Sequence, residues 1–313
     1  MSPTILFLVG PTGSGKSEVG ISLAKALNGE IISADSMLVY RGMNVGTAKP
    51  SRAERKGIVH HLIDIVSPRE LFSVNRYRTL ALEAFEKIVK RNRLPIVVGG
   101  SGLYIRALTD GLAPQEKGTQ KIRAKLERQA KQVGISYLYK RLKKIDPVRA
   151  AEILSRDQRR IIRSLEIYDA FGIKPSEWRL RKTSLEDLGF HWTIFGIRWE
   201  REELYDRINQ RVDRMMEQGF LKEVKRLSKK GMSRTARQAI GYHELHNYLK
   251  GKMTLEQAIH MTKQRTRHLA KKQLIWFRKE KRIRWIDVHE RRSFSDISTE
   301  IINSWQKTCP LEN

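Results

Sequence analysis

A short apolar run, TILFLV at residues 4–9, ends at a glycine and leads straight into GPTGSGKS at residues 10–17. A continuous apolar run of this length, closed by glycine, has the character of a buried parallel strand. The loop after it matches G-x-x-x-x-G-K-[ST], and residues 17–27 continue at helical spacing through Val19, Leu23, Ala26 and Leu27. Strand, glycine-rich loop and helix in that order form a phosphate cradle. Its glycines let backbone N–H groups curl around an anion, and the helix N-terminus adds partial positive charge. Lys16 brings a point charge to phosphate oxygens, and Ser17 offers a hydroxyl to Mg²⁺. Gly10, Pro11, Thr12, Gly13, Ser14, Gly15, Lys16 and Ser17 are therefore expected to bind phosphates.

The same alternation recurs downstream. EIISADS at 30–36 reads as a second strand, residues 73–92 as an amphipathic helix, and LPIVVGG at 94–100 as a third buried strand. Strands alternating with helices imply βαβ units and a parallel sheet. Residues 117–187 show helical spacing, no convincing strand, and 19 Lys and Arg against 9 Asp and Glu. HWTIFGI at 191–197 restores the strand pattern, and 201–230 and 254–280 read as two long helices. The expected domains are thus an α/β core over 1–115, an all-α insertion over 116–188, and the core's continuation with C-terminal helices over 189–313.

Ligands of open α/β sheets bind at the carboxyl ends of the strands. The apolar strand at 94–98 runs into Gly99, Gly100 and Ser101, without the acid that helps an NTPase hold its Mg²⁺. Asp35 is the acid nearest a strand end, and Asp35 and Ser101 should both face the cradle. In a Ser-Ala-Asp-Ser turn, Asp35 can also act as a simple turn cap.

The charge excess speaks to a partner. The chain carries 61 Lys and Arg against 34 Asp and Glu, a net +27, and such a balance points to a polyanion. Residues 260–292 alone hold 12 Lys and Arg against 3 acids. A single cysteine, Cys309, excludes a disulfide framework and a cysteine-built zinc site. His60–His61 and the HELH at 243–246 lack the i, i+4 pair of a zinc-binding helix. No apolar run reaches the roughly 18 residues of a membrane span, and the N-terminus lacks a signal peptide's basic start. A cytoplasmic protein without a membrane partner is expected.

Several motifs together resemble one family, the bacterial tRNA dimethylallyltransferases, which transfer an isopentenyl group to N6 of the adenosine beside the anticodon, position 37. The matching stretches are GPTGSGKS at 10–17, SADSMLVYRGMNVGTAKP at 33–50, VVGGSGLYIRAL at 97–108 and DQRRIIRSLEIY at 157–168. LYDRINQRVDRMMEQGFLKEV at 204–224, RQAIGYHEL at 237–245 and TRHLAKKQLIWFRK at 266–279 continue them in order. One departure is Ser101, where the family commonly carries Thr. The resemblance implies an α/β fold: a P-loop NTPase-like parallel sheet flanked by helices, with an all-α insertion domain that helps clamp tRNA. It implies that the cradle holds dimethylallyl diphosphate rather than ATP, with Mg²⁺ as cofactor and the tRNA anticodon stem-loop as partner of a monomeric chain.

Two chemical problems then need residues. An exocyclic adenine amine is a poor nucleophile, and Asp35 is the candidate to orient it and take its proton. The leaving diphosphate gathers charge, which the cradle, Mg²⁺ and an arginine of RINQRVD would stabilise. Arg211 is the choice, Arg207 one turn earlier the alternative, and Ser101 positions the amine or diphosphate. A base-modifying enzyme extrudes its target, and single-stranded loops are the usual site of specific RNA reading. The expected RNA contacts are Asp35, Ser36, Met37, Leu38 and Ser101 at the site, and Arg123, Arg159, Arg160, Ile161, Ile162 and Arg163 in the insertion. Arg237, Gln238, Gly241 and Tyr242, then Lys271, Lys272, Trp276 and Arg278, complete them. The Gln238 amide would read a base edge and Tyr242 would stack; of Trp276 and Phe277, at least one should be core instead. The rivals are a small-molecule kinase on the same cradle, a non-enzymatic RNA-binding protein, and a transferase acting on free adenine nucleotides.

Overall fold

A computed structural model describes residues 3–114, 118–290 and 292–307. Cys309 and the expected domain boundary at 115/116 fall outside those residues.

The chain divides into two compact units, residues 1–108 with 189–313, and residues 109–188. The first is the α/β unit. It opens with β1 (Thr4–Val9), α1 (Lys16–Ala26), β2 (Gly29–Ser33), the two-residue β3 (His60–His61), α2 (Val74–Val89), β4 (Leu94–Gly99) and α3 (Gly102–Thr109). The second unit holds α4 (Gln120–Val133), α5 (Ile135–Ile145), α6 (Pro147–Ala151), α7 (Gln158–Phe171) and α8 (Pro175–Trp178), with no strand among its described residues. The first unit resumes with β5 (His191–Trp199), α9 (Arg201–Glu217), α10 (Phe220–Lys230), α11 (Arg234–Arg237), α12 (Tyr242–Leu249), α13 (Leu255–Arg278), β6 (Ile283–Val288) and α14 (Phe294–Gln306).

All six strands form one parallel sheet in the order β3-β2-β4-β1-β5-β6. The central strands are apolar along their length because both faces are covered. Leu6 and Leu8 of β1 pack with Val19 and Leu23 of α1 and with Ile297 and Ile301 of α14. Ile5 and Phe7 point the other way and are fully buried; each such side chain contributes roughly 1.5–3 kcal/mol relative to exposure. The chain leaves β1, passes β4, and forms β2 before returning, so the cradle after β1 lies where strand order reverses.

The second unit has its own core, in which Leu126, Leu138, Leu142, Ile153, Ile161, Ile162 and Leu165 interdigitate.

Two local readings are corrected. β2 ends at Ser33, so Asp35 follows the strand in a turn. The helix expected over 201–230 is two helices, because Gly219 takes a left-handed φ of 89° that ends one and starts the next. β3 and β6 were not anticipated; β6 is an edge strand paired only to β5, with Arg284 and Asp287 turned outward. No helix among the described residues is long and apolar enough to cross a membrane.

Candidate active site

A cleft of the α/β unit opens at the carboxyl edge of the sheet. Its wall joins Thr12 and Lys16 of the cradle, Asp35 and Ser36 after β2, Gly46 and Thr47 of the next loop, and Gly100 and Ser101 after β4. Arg211 of α9 and one face of α13 close it, and Val212, Met215, Phe220, Ala239, Ile240 and Leu269 make part of the wall apolar. The site thus offers a cationic end, a single carboxylate and a greasy slot.

The cradle's shape follows from its glycines. Gly15 caps α1 at φ 80°, and a Cβ there would lie 2.3 Å from the Phe294 ring. Lys16 reaches back to donate to the Pro11 carbonyl at 3.0 Å. Burial, partly countered by the Asp35 charge and reinforced by Arg211, holds its ammonium down at about 8. The loop thus carries a poorly solvated cation.

Arg211 sits in the cleft, donating through Nη1 to Thr12 Oγ1 and through Nη2 to the Thr47 carbonyl, both at 3.3 Å. Burial lowers its pKa, and the charge of Asp35 opposes that shift. Arg207 lies elsewhere: its Nε donates to the Gly13 carbonyl at 3.0 Å, and its guanidinium stacks 4.3 Å from the Trp199 ring centroid. It braces the cradle while Arg211 faces the cleft. Gly10, Pro11, Gly13, Ser14 and Gly15 shape the loop without forming the cleft wall, and Ser17 is exposed on the first turn of α1.

Asp35 caps a turn and also lines the cleft. Oδ1 accepts the Met37 N–H at 2.8 Å, a true turn cap, while the residue also lines the cleft. Ser101 Oγ accepts the Ser36 N–H at 3.2 Å, tying the end of β4 to the Asp35 turn. Leu38 is half-buried beside the cleft and is not part of its wall.

The remaining predicted residues separate. Gln238, Lys272 and Trp276 line the cleft, with Arg106 stacked 5.1 Å over the Trp276 ring. Phe277 is fully buried, the core member of that pair. Arg237, Lys271 and Arg278 are exposed, as are Arg123, Arg159 and Arg160 in the second unit, where Arg163 is half-exposed and pairs with Glu166. Three expectations are corrected. Ile161 and Ile162 turn their side chains into the core of the second unit, not toward a ligand. Tyr242 does not stack outward: it is buried, with its hydroxyl donating to Glu223 at 2.6 Å. Gly241 is also buried, its N–H held by Glu244 at 2.7 Å.

Sequence reasoning passed over Thr47, Gln273 and Glu223. Gln273 accepts the Thr12 N–H and donates to the Gly100 carbonyl, both at 2.9 Å, so it latches α13 to the cradle and to β4. A signal was present: Thr262, Thr266, Leu269, Gln273 and Trp276 repeat at helical spacing and all line the cleft.

Among the described residues no three His, Cys, Asp or Glu side chains gather to hold a metal. His61 instead pairs with the buried Glu30 at 2.6 Å, and His60 bonds the Ile58 carbonyl at 2.9 Å, a structural use of both.

The pattern of the IPP transferase family matches residues 38–280. The chain is 44% identical over 304 residues to a tRNA dimethylallyltransferase of Desulforudis audaxviator, covering 96% of this chain and 97% of that one. It is 45% identical, at the same coverage, to a tRNA dimethylallyltransferase of Carboxydothermus hydrogenoformans. Among solved structures it is similar to the tRNA isopentenylpyrophosphate transferase of Bacillus halodurans, with TM-score 0.72, 39% identity and 99% of both chains covered. It is also similar to a eukaryotic dimethylallyltransferase acting on tRNA, with TM-score 0.82, 32% identity, and 98% of this chain and 78% of that one covered. A cleft with a phosphate cradle at one end and a lone carboxylate beside it, matched along nearly the whole chain by these relatives, places the protein: it belongs to the IPP transferase family.

Proposed function

We propose that the protein transfers a dimethylallyl group from dimethylallyl diphosphate to N6 of adenosine 37 in tRNA, releasing diphosphate. The observation that carries this reading is the single cleft wall on which Lys16, Arg211 and Asp35 meet an apolar surface. A prenyl diphosphate needs both ends of that wall.

In the reaction the N6 lone pair forms a bond to C1 of the prenyl group as the C1–O bond breaks. That electron pair leaves on the diphosphate oxygen. Lys16, Arg211 and the cradle amides face the growing charge, and such preorganised stabilisation is usually the largest catalytic term. Asp35 keeps one oxygen on Met37, which fixes the carboxylate, and the other orients N6 and accepts its proton. Ser101 holds the Asp35 turn through Ser36.

Mg²⁺ prefers few protein oxygens, several waters and substrate phosphates; the exposed Ser17 hydroxyl on the first turn of α1 and the Asp35 carboxylate on the cleft wall are the oxygens that would hold it. When bound with the diphosphate it would neutralise part of the leaving group's charge.

The tRNA contacts fall to the exposed cations and the cleft rim: Arg237, Gln238, Lys271, Lys272 and Arg278 on the α/β unit, Arg123, Arg159, Arg160 and Arg163 on the helical unit. A tRNA substrate would be met in the cytoplasm, where the chain would act. Incubation with dimethylallyl diphosphate, Mg²⁺ and unmodified tRNA tests the reading. Mass spectrometry of the digested RNA should show one prenyl unit gained on one anticodon-loop adenosine. An unmodified product with intact donor would refute it.

A further inference from the structure

Glu223 lies on α10, outside the cleft wall, yet it is buried and takes hydrogen bonds from four donors. Oε2 accepts the backbone N–H groups of Asn44 and Val45 at 2.8 and 3.0 Å. Oε1 accepts the N–H of Gly46 at 3.1 Å and the hydroxyl of Tyr242 at 2.6 Å. Three successive backbone N–H groups converging on one point make an anion nest, and here the chain fills its own nest with a carboxylate. Burial and the Glu223 charge both push the Tyr242 pKa up, so the phenol remains a donor to that carboxylate.

The loop that Glu223 grips is the one that meets Arg211. Gly46 and Thr47 line the cleft, and the Thr47 carbonyl accepts from Arg211 Nη2. Thr47 Oγ1 in turn donates to the Met43 carbonyl at 2.7 Å, and the Ala48 N–H bonds the Val45 carbonyl at 2.9 Å, so the loop is tightly wound. It is also closely seated. A Cβ on Gly46 would lie 2.0 Å from the Phe220 ring and 2.7 Å from that of Tyr242. The loop therefore has one seat, and Glu223 fastens it there.

We propose that Glu223, with Tyr242 behind it, is a positioning residue for the leaving group: it fixes the 44–47 loop so that the Thr47 carbonyl holds Arg211 toward the diphosphate. This rests on the reading of the cleft as a diphosphate site. Charge-assisted hydrogen bonds are the strong ones; if one oxygen becomes an NH₂ group, the two bonds at that oxygen are lost because NH₂ would face donors, and the two at the other oxygen lose their charge assistance.

The test is a double-mutant cycle read by calorimetric titration of inorganic diphosphate with Mg²⁺ into the full chain. Arg211→Ala should weaken binding by about a hundredfold. Glu223→Gln should weaken it by about tenfold in the native background and have no further effect in Arg211→Ala, with tRNA affinity unchanged in the single variant. If Arg211→Ala binds like the native chain, the diphosphate reading of Arg211 falls, and the clamp with it. If Arg211→Ala weakens binding while Glu223→Gln does not, or costs as much in the Arg211→Ala background as alone, the clamp alone is wrong. Should Glu223→Gln fail to fold, Tyr242→Phe carries the same cycle. It removes one of the four bonds and keeps the ring against Phe220; about a threefold loss confined to the native background is expected, and an equal loss in both backgrounds would overturn the proposal.

Discussion

Asp35 is an observed turn cap and the proposed general base. One oxygen caps the turn through Met37, and among the described residues no hydrogen bond goes to the other. Asp35→Asn can keep the cap but not the basicity. In single-turnover prenylation the chemical step should therefore slow by about 10²–10⁴-fold, with diphosphate and tRNA affinities nearly unchanged. A near-normal rate would leave only the cap. Lys16 gives a second residue-level prediction. Its pKa is lowered to about 8, so the ammonium is charged below that pH and neutral above it. Diphosphate affinity, referred to a Lys16→Arg variant that cancels the ligand's own titration, should be flat below about pH 8. Above it, the affinity should fall by about tenfold per pH unit as binding must take up a proton; a ratio constant from pH 7 to 10 would contradict this. The cradle was legible from eight adjacent letters because its geometry is local. Thr47 and Glu223 were not, since each acts through a partner 164 or more residues away.

At the scale of elements, the central strands announced themselves by continuous apolar runs, whereas β6 did not. Its apolar residues are interrupted by the exposed Arg284 and Asp287, one on each face, inside a basic stretch, so no continuous apolar run marks this edge strand. The break at Gly219 was hidden for a different reason: amphipathic spacing persists across it, and only the backbone angle reveals the turn. Helix α13 does most to build the cleft, contributing its face from Thr262 to Trp276. It can approach α3 because Gly102 has no side chain; a Cβ there would lie 2.3 Å from the Trp276 ring. Gly102→Ala should push that ring aside, lower stability by roughly 1–3 kcal/mol and reduce prenyl transfer at the same time. Thermal melts and rates measured on the same preparation check it: unchanged melting and unchanged rate would mean the contact is unimportant.

For the molecule as a whole, a net charge of +27 and a cleft with a single carboxylate suit a transferase that meets a polyanion and expels a smaller one. A small-molecule kinase would share the cradle without needing that charge, and a passive RNA-binding protein would need no Asp35 beside Lys16. The central claim is that the phosphate cradle serves a prenyl donor whose diphosphate leaves only when the tRNA amine attacks. Counting products measures it most directly: diphosphate released and adenosines prenylated, with and without tRNA, beside phosphate released from ATP. The prediction is one diphosphate per prenylated adenosine, essentially none without tRNA, and no RNA-independent ATP turnover. Steady ATP hydrolysis without RNA, or diphosphate released without prenylated tRNA, would contradict the account.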